Sequence, residues 1–326
     1  MKIGVYSPNW IGDAVLALPF IKCLKILYPN ARIFIFCKEW VSCIYENNPH
    51  VYDIISSKKD ALGTIKGTIK FGFKIRQIKI DHFYTLTDSF RSALVLRISG
   101  SPRTVGYKSQ MRSFLLTESI EKSKLKIHRY KKYLGLLSQK IEFSINPYIH
   151  ITSKEKKWGL NEMRKMKINK PVGLFPFSVS IDRTIPKSLI KNWIENADND
   201  YLVFGSKNDI QNGEYLAKSL PKLSIKSICG KYTLRESIIL ISLCDFGLAA
   251  DSGLGHISAV LGVPTLSFFG SGSPDITGPI GHKVRIIQHC FPCRGDLCKI
   301  NNEGVVCLQK ISKLDIEDAF KKLTIQ

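Results

Sequence analysis

Apolar positions in this chain come in short β-branched runs separated by longer amphipathic stretches, and the two alternate. Residues 2–6 are such a run and predict a buried strand. A loop over 7–10 leads into a helical pattern that reaches about residue 28, where Pro29-Asn30 stops it. Residues 31–37 predict a second strand. Strand, helix and strand with tight connections make a βαβ unit, so a parallel sheet starts here. Further strand-like runs lie at 51–55 and 83–87, and 89–98 is helical in pattern up to Ser101-Pro102.

The rhythm restarts after a charged, weakly apolar stretch at 152–170. Strands are predicted at 171–176, 201–204, 223–228, 246–249 and 265–269, with helices between them. Thr233-x-x-Glu236 has the spacing of a capping box, in which hydroxyl and carboxylate satisfy free backbone N–H groups. The expected fold is α/β, with two doubly wound Rossmann-like domains over 1–152 and 153–310. The last helix, in 311–326, has no strand after it and is free to pack back across the first domain.

A length of 326 residues exceeds what one hydrophobic core usually covers, which agrees with two domains. The apolar share of 44% is ordinary for a folded soluble protein. No apolar stretch approaches the roughly eighteen residues of a membrane span. The first residues lack the pattern of a signal peptide, so a cytoplasmic protein is expected.

The net charge of +21 changes the picture, because such a field attracts anions. Dense basic stretches lie at 58–79 and 122–132. They read either as a solvated lysine-rich surface or as a face for an anionic membrane or a phosphorylated acceptor. No zinc finger, helix-turn-helix or RNP-like motif is present, so no nucleic-acid partner is expected.

In open parallel sheets, ligands bind beyond the carboxyl ends of the strands. Two loops stand out on that rule. In the first, Pro8 to Asp13, Gly12 lets the backbone approach a ligand and Asp13 places a carboxylate there. Asp13 reads equally as a helix N-terminal acid favoured by the macrodipole. In the second, Asp251-Ser252-Gly253-Leu254-Gly255-His256, a helix N-terminus offers N–H groups to a diphosphate, with His256 one turn on. The plainer alternative makes Asp251 an N-cap and His256 a structural histidine. There is no G-x-G-x-x-G, no Walker A sequence and no G-x-S-x-G elbow.

Several segments taken in order carry a resemblance. They are Pro8-Asn9-Trp10-Ile11-Gly12-Asp13, then 86–94 (LTDSFRSAL), then Arg103-Thr104-Val105-Gly106-Tyr107 with Met111-Arg112-Ser113-Phe114-Leu115-Leu116. In the second half come Asp251 to His256, Phe269-Gly270-Ser271 and Thr277-Gly278-Pro279. Together they resemble family 9 glycosyltransferases, the ADP-heptose:lipopolysaccharide heptosyltransferases, and most of all the heptosyltransferase II branch. The resemblance implies a GT-B fold, two domains facing across a cleft, and an inverting transfer that needs no metal or other cofactor. The donor would be an ADP-sugar, and the acceptor an anionic lipid A core met by peripheral contact at the inner membrane.

By the same resemblance Asp13 is the general base, while Ser178, Arg183, Asp209, Asp251, Ser252, Gly253 and His256 serve the donor. Gly12, Arg91, Arg103 and Arg112 fall on the acceptor side, the arginines being equally open to structural ion pairing. Arg183 stands where the family carries lysine, Asp88 where it carries asparagine, and Gly255 where it carries a larger residue. The loop 177–181 also lacks the family's P-G-A start. These departures leave room for another nucleotide sugar or core position, and the fold would also suit a nucleotide-sugar epimerase or a glycolipid-binding protein.

Nine cysteines without a secretory signal argue against a disulfide framework. Cys23, Cys37, Cys43, Cys229 and Cys244 sit in apolar surroundings and read as small core residues. Cys290, Cys293, Cys298 and Cys307 cluster in sequence and fit either a structural metal or packed thiols.

Overall fold

The computed structural model describes residues 1–58, 63–137, 148–194, 199–289 and 305–324. The chain divides into two compact units, Met1–His150 and Ile151–Gln326. Unit 1 contains strands β1 (Lys2–Tyr6), β2 (Arg32–Lys38), β3 (Asp53–Ser57), β4 (His82–Thr85), β5 (Arg103–Tyr107) and β6 (Glu118–Ile120). Unit 2 contains β7 (Val172–Phe175), β8 (Asp200–Val203), β9 (Ser224–Ser227), β10 (Phe246–Ala250), β11 (Thr265–Phe269) and β12 (Val284–Gln288).

All the pairings within each sheet are parallel. The order is β3-β2-β1-β4-β5-β6 in the first and β12-β11-β10-β7-β8-β9 in the second. Each is the doubly wound 3-2-1-4-5-6 order, so the α/β reading of the sequence is correct. The order reverses between β1 and β4 in unit 1 and between β7 and β10 in unit 2. Those two switch points are where such sheets take ligands. Helices cover both faces, which is why residues 33–37 of β2 and all of β10 and β11 are buried, the polar Thr265 and Ser267 included.

The predicted helix over 11–28 is two helices, Ile11–Leu16 and Leu18–Leu27. Pro19 lacks the N–H that would continue the ladder, and its ring crowds the carbonyl four residues back. The charged, weakly apolar stretch at 152–170 contains the helix Ser153–Lys165, started by a capping box between Thr152 and Glu155. The Thr233–Glu236 box is present as expected. The C-terminal helix Lys313–Thr324, whose packing on the first domain the sequence left open, instead lies on unit 2, with Phe320 edge-on to Phe246 at 4.9 Å. Its apolar stripe covers one face of β11 and β12.

Glu155 also accepts hydrogen bonds from Arg235 Nε at 2.8 Å and Nη2 at 3.0 Å, tying the helix Ser153–Lys165 to the helix Leu234–Ile241. The Arg235 bond, aided by Thr152 and resisted by burial, holds the Glu155 carboxyl down at about 2. A carboxylate lowered by folding adds stability above its unfolded value and loses it as pH falls toward the folded one. Glu155→Gln is therefore expected to cost about 1–2 kcal/mol near neutral pH. That difference should shrink between about pH 4.5 and pH 2, where the wild-type carboxylate protonates. Urea midpoints of both proteins at neutral and acid pH check it, and a gap that does not narrow would refute it.

Cys23, Cys37, Cys43, Cys229 and Cys244 are reduced and buried, as their surroundings suggested. Burial pushes the Cys37 thiol up to about 12 and the Cys23 thiol up to about 11, far from reactive thiolates. Cys307 is buried too, while Cys290, Cys293 and Cys298 lie outside the described residues.

Candidate active site

In unit 1 the chain leaves β1 at Tyr6 and turns through Ser7 to Trp10 into the helix Ile11–Leu16. The Ser7 N–H donates to the Phe36 carbonyl at 2.9 Å, and its hydroxyl lies 2.6 Å from that of Tyr45. Asp13 sits in the first turn, where the positive end of the helix favours a carboxylate. Its side chain is 15% exposed, and Arg129 Nη1 donates to Oδ1 at 3.0 Å and Oδ2 at 2.9 Å. Burial first, and then the Asp13 charge, pushes the Tyr133 phenol well above its ordinary value. Asp13 is thus a carboxylate with restricted access to water, held in one orientation by a cation.

The loop after β4 reaches the same edge of the sheet. There Asp88 accepts from Lys132 Nζ at 2.7 Å and pairs with Lys122 Nζ at 3.0 Å. Burial raises the Asp88 carboxyl, but the two lysines outweigh it and leave the group below its ordinary value. The helix Phe90–Ile98 starts here, so Arg91, exposed in its first turn, shares an edge with Gly12 and Asp13.

The other two arginines expected on the acceptor side lie elsewhere. Arg103 opens β5, so it stands at the opposite end of the sheet, where Nε and Nη2 donate to Glu118 Oε2 at 3.0 and 2.8 Å. Arg112 has 0% of its side chain exposed. It donates to the carbonyls of Tyr107, Thr87 and Ser89 and to the Ser92 hydroxyl, at 2.7 to 3.1 Å. Both side chains are engaged in bonds within unit 1.

In unit 2, β10 ends at Ala250, and Asp251-Ser252 leads into the helix Gly253–Val260. Ser252 is the N-cap but makes no side-chain capping bond, so the first N–H groups are not closed off by it. The helices starting after Thr152 and Thr233 are both boxed by a side chain. Gly255 allows this helix to lie close to its strand, since a Cβ there would meet Ala249 Cβ at 2.9 Å and the Ala250 carbonyl at 3.2 Å. The departure from a larger residue at 255 thus reflects helix packing.

The loop after β7 folds onto this helix start. Ser178 donates its hydroxyl to the Asp251 carbonyl at 3.3 Å, and its N–H goes to Thr184 Oγ1 at 3.1 Å. Arg183 Nη1 lies 3.3 Å from Asp251 Oδ2, a carboxylate that is 5% exposed. The loop after β11 closes the third side. A Cβ on Gly272 would fall 2.4 Å from Asp251 Oδ2, and Gln288 Nε2 donates to the Gly272 carbonyl at 2.9 Å.

His256 is buried in the first turn of its helix. The hydroxyls of Ser252 and Ser271 are buried without a hydrogen-bond partner among the described residues. Buried polar atoms are normally satisfied, so this loop cluster has donors left over for a ligand. Asp209 lies one loop away, after β8, and boxes the backbone N–H and hydroxyl of Ser206 at 2.8 and 2.6 Å.

The structure therefore brings together Ser178, Arg183, Asp251, Ser252, Gly253 and His256 at one switch point, and Gly12, Asp13 and Arg91 at the other. Arg129, Lys132, Thr184 and Ser271 were not read as site residues. Arg129 and Lys132 were visible only as part of a basic stretch, and Ser271 only as part of a matched segment. Among the described residues no group of histidine, cysteine, aspartate or glutamate side chains is arranged to hold a metal.

Two doubly wound units, one with N–H groups not closed off by a side-chain cap at its switch point and one with a held carboxylate at its own, suit the nucleotide-sugar enzymes, transferases among them. The family model for glycosyltransferase family 9 (heptosyltransferase) matches residues 68–304, and the chain belongs to that family. Lipopolysaccharide heptosyltransferase 2 of Escherichia coli K12 is 27% identical over 308 residues, covering 88% of each chain. The protein of the same description from Salmonella typhimurium is 26% identical, again over 88% of each. The solved E. coli ADP-heptose lps heptosyltransferase II matches with a TM-score of 0.83 and 25% identity, over 100% of this chain and 99% of that one. A family 9 glycosyl transferase from Veillonella parvula matches with a TM-score of 0.85 at 18% identity, a likeness of fold alone; it covers 99% of this chain and 97% of that one.

Proposed function

We propose that this glycosyltransferase moves heptose from ADP-heptose onto the inner core of lipopolysaccharide, at an acceptor that already carries one heptose. Unit 2 holds the donor and unit 1 the acceptor. The observations that carry the reading are the held carboxylate of Asp13 at the switch point of unit 1 and, at that of unit 2, an N-terminus without a side-chain cap beside a guanidinium. The acceptor hydroxyl attacks the anomeric carbon, the bond from that carbon to the diphosphate oxygen breaks, and the hydroxyl proton passes to Asp13. Configuration inverts because there is one displacement. ADP leaves with the bonding pair, its charge met by the N–H groups from Gly253 onward and by Arg183, whose planar fork suits phosphate oxygens. Ser178, Ser252 and His256 orient the diphosphate and donor sugar, with Asp209 at the nucleotide side. Arg91 and Gly12 line the acceptor side, and the basic charge of unit 1 draws the anionic acceptor at the membrane surface.

ADP release from ADP-heptose, measured with and without an acceptor carrying one heptose, tests this. Release that requires the acceptor is expected, with none from UDP-sugars. Turnover of a UDP-sugar alone would move the donor, and silence with every donor would refute an active transferase.

A further inference from the structure

The basic stretch of unit 1 folds into a helix whose outer face carries two parallel stripes. The helix Ile65–Arg76 is capped by Thr64, which accepts from the Gly67 N–H at 3.1 Å. Thr68, Phe71, Gly72 and Ile75 turn inward, and Gly72 lies against Ile98 of the neighbouring helix Phe90–Ile98. The opposite face repeats every four residues. Ile65, Ile69 and Phe73 form an apolar stripe with exposures of 67%, 38% and 52%. Lys66, Lys70 and Lys74 form an exposed basic stripe directly beside it. Residues four apart stack on one helix face, so both stripes are continuous over the helix's length.

We propose that this face is a docking surface for an anionic lipid bilayer. Three large apolar side chains in register exceed what scattered surface hydrophobics explain. A lysine row alongside them is the composition of a helix that lies in the interface, apolar side chains down and ammonium groups at the headgroups. The charge pattern also selects against an antiparallel two-fold pairing of this helix with a second copy of the chain, which would bring the lysine rows to the same side. The helix starts from the carboxyl edge of the sheet that carries Asp13. The neighbouring helix starts there too, with Phe90 beside Phe114 at 6.2 Å, and Phe114 is 73% exposed. Docking therefore brings the Asp13 edge close to the lipid surface. That consequence rests on the proposed lipid-linked acceptor, whereas binding to the bilayer does not.

The test is sedimentation of the full chain, without nucleotide sugar, with vesicles of phosphatidylcholine alone or of equal parts phosphatidylcholine and phosphatidylglycerol. Binding to the anionic vesicles is expected, falling as salt rises. The variant Ile69→Asp/Phe73→Asp and the variant Lys66→Glu/Lys70→Glu/Lys74→Glu should each weaken it by on the order of tenfold. Leu314→Asp, which changes an exposed apolar residue of unit 2, should not. Unchanged melting temperatures show that the variants fold, and unchanged turnover of a soluble, acyl-free acceptor by Ile69→Asp/Phe73→Asp separates docking from chemistry. Absent vesicle binding, or variants that bind as the wild type does, would overturn the proposal. Loss of self-association in vesicle-free solution, with vesicle binding intact, would assign the face to a protein contact and overturn it equally.

Discussion

Asp13→Asn is expected to lower the rate of sugar transfer by about 10²–10⁴-fold while leaving donor affinity near the wild-type value. The substitution keeps the volume of the side chain and one oxygen to accept from Arg129. It removes the group that can take the acceptor's proton, and that proton must leave as the new glycosidic bond forms. Donor affinity should hold because the diphosphate contacts proposed here all come from unit 2. Arg129 makes this a demanding test. The cation fixes the carboxylate, and it must keep contact with a side chain that becomes neutral in asparagine. Single-turnover rates and donor titrations by calorimetry separate the two quantities. Transfer at the wild-type rate would remove Asp13 from the chemistry. Equal losses in rate and donor affinity would make it a binding residue.

How far the sequence alone reaches depends on where each signal is encoded. The central strands are legible because helices bury both of their faces, which leaves apolar runs that need no partner to be recognised. The 251–256 loop is legible for a related reason: strand, polar turn and helix follow each other directly, and the switch-point rule supplies the location. The helix Ser153–Lys165 is illegible by periodicity, since only Gly159 and Met163 of its thirteen residues are buried. It is held by the Arg235–Glu155 bridge and by Trp158 edge-on to Tyr232 at 5.9 Å. Strands β6 and β12 lie at sheet edges with mostly half-buried residues, so their apolar signal is weak. The basic stretch at 58–79 hides a helix because Ile65, Ile69 and Phe73 are apolar yet exposed, which blurs the period set by the inward Thr68, Phe71, Gly72 and Ile75.

Three arginines show the limit most clearly. Arg91, Arg103 and Arg112 look equivalent in matched segments, because a guanidinium carries the same charge wherever it lies. Strand direction places Arg103 at the opposite end of the sheet from Asp13, and the curl of the loop over residues 108–112 buries Arg112. Neither fact is local. Arg129 is the converse, 116 residues from the carboxylate it holds, in a stretch with no motif of its own.

Arg112→Lys is expected to destabilise unit 1 by about 3–5 kcal/mol, although it conserves charge. The guanidinium spans three carbonyls and a hydroxyl from three separate segments: the end of β5, the loop after β4, and the first turn of the helix Phe90–Ile98. A lysine has one ammonium on a flexible stem and cannot reach the acceptors on both sides of the guanidinium fork at once. At least one buried carbonyl would lose its partner, and the ammonium would stay buried with Asp88 3.8 Å from the old guanidinium position. Burial already pulls the Arg112 group below its ordinary value, with Asp88 opposing, and a less basic ammonium tolerates that position worse. Arg112→Met should cost a similar amount for a different reason, since it removes the buried charge but also every guanidinium donor, leaving Thr87 and Ser89 only their bonds from Thr85 and Ser92. The measurement is urea unfolding of both variants beside Arg91→Lys, whose exposed side chain should leave the midpoint nearly unchanged. If Arg112→Lys unfolds at the wild-type midpoint, the buried fork does not hold these loops, and Arg112 returns as a candidate for ligand contact.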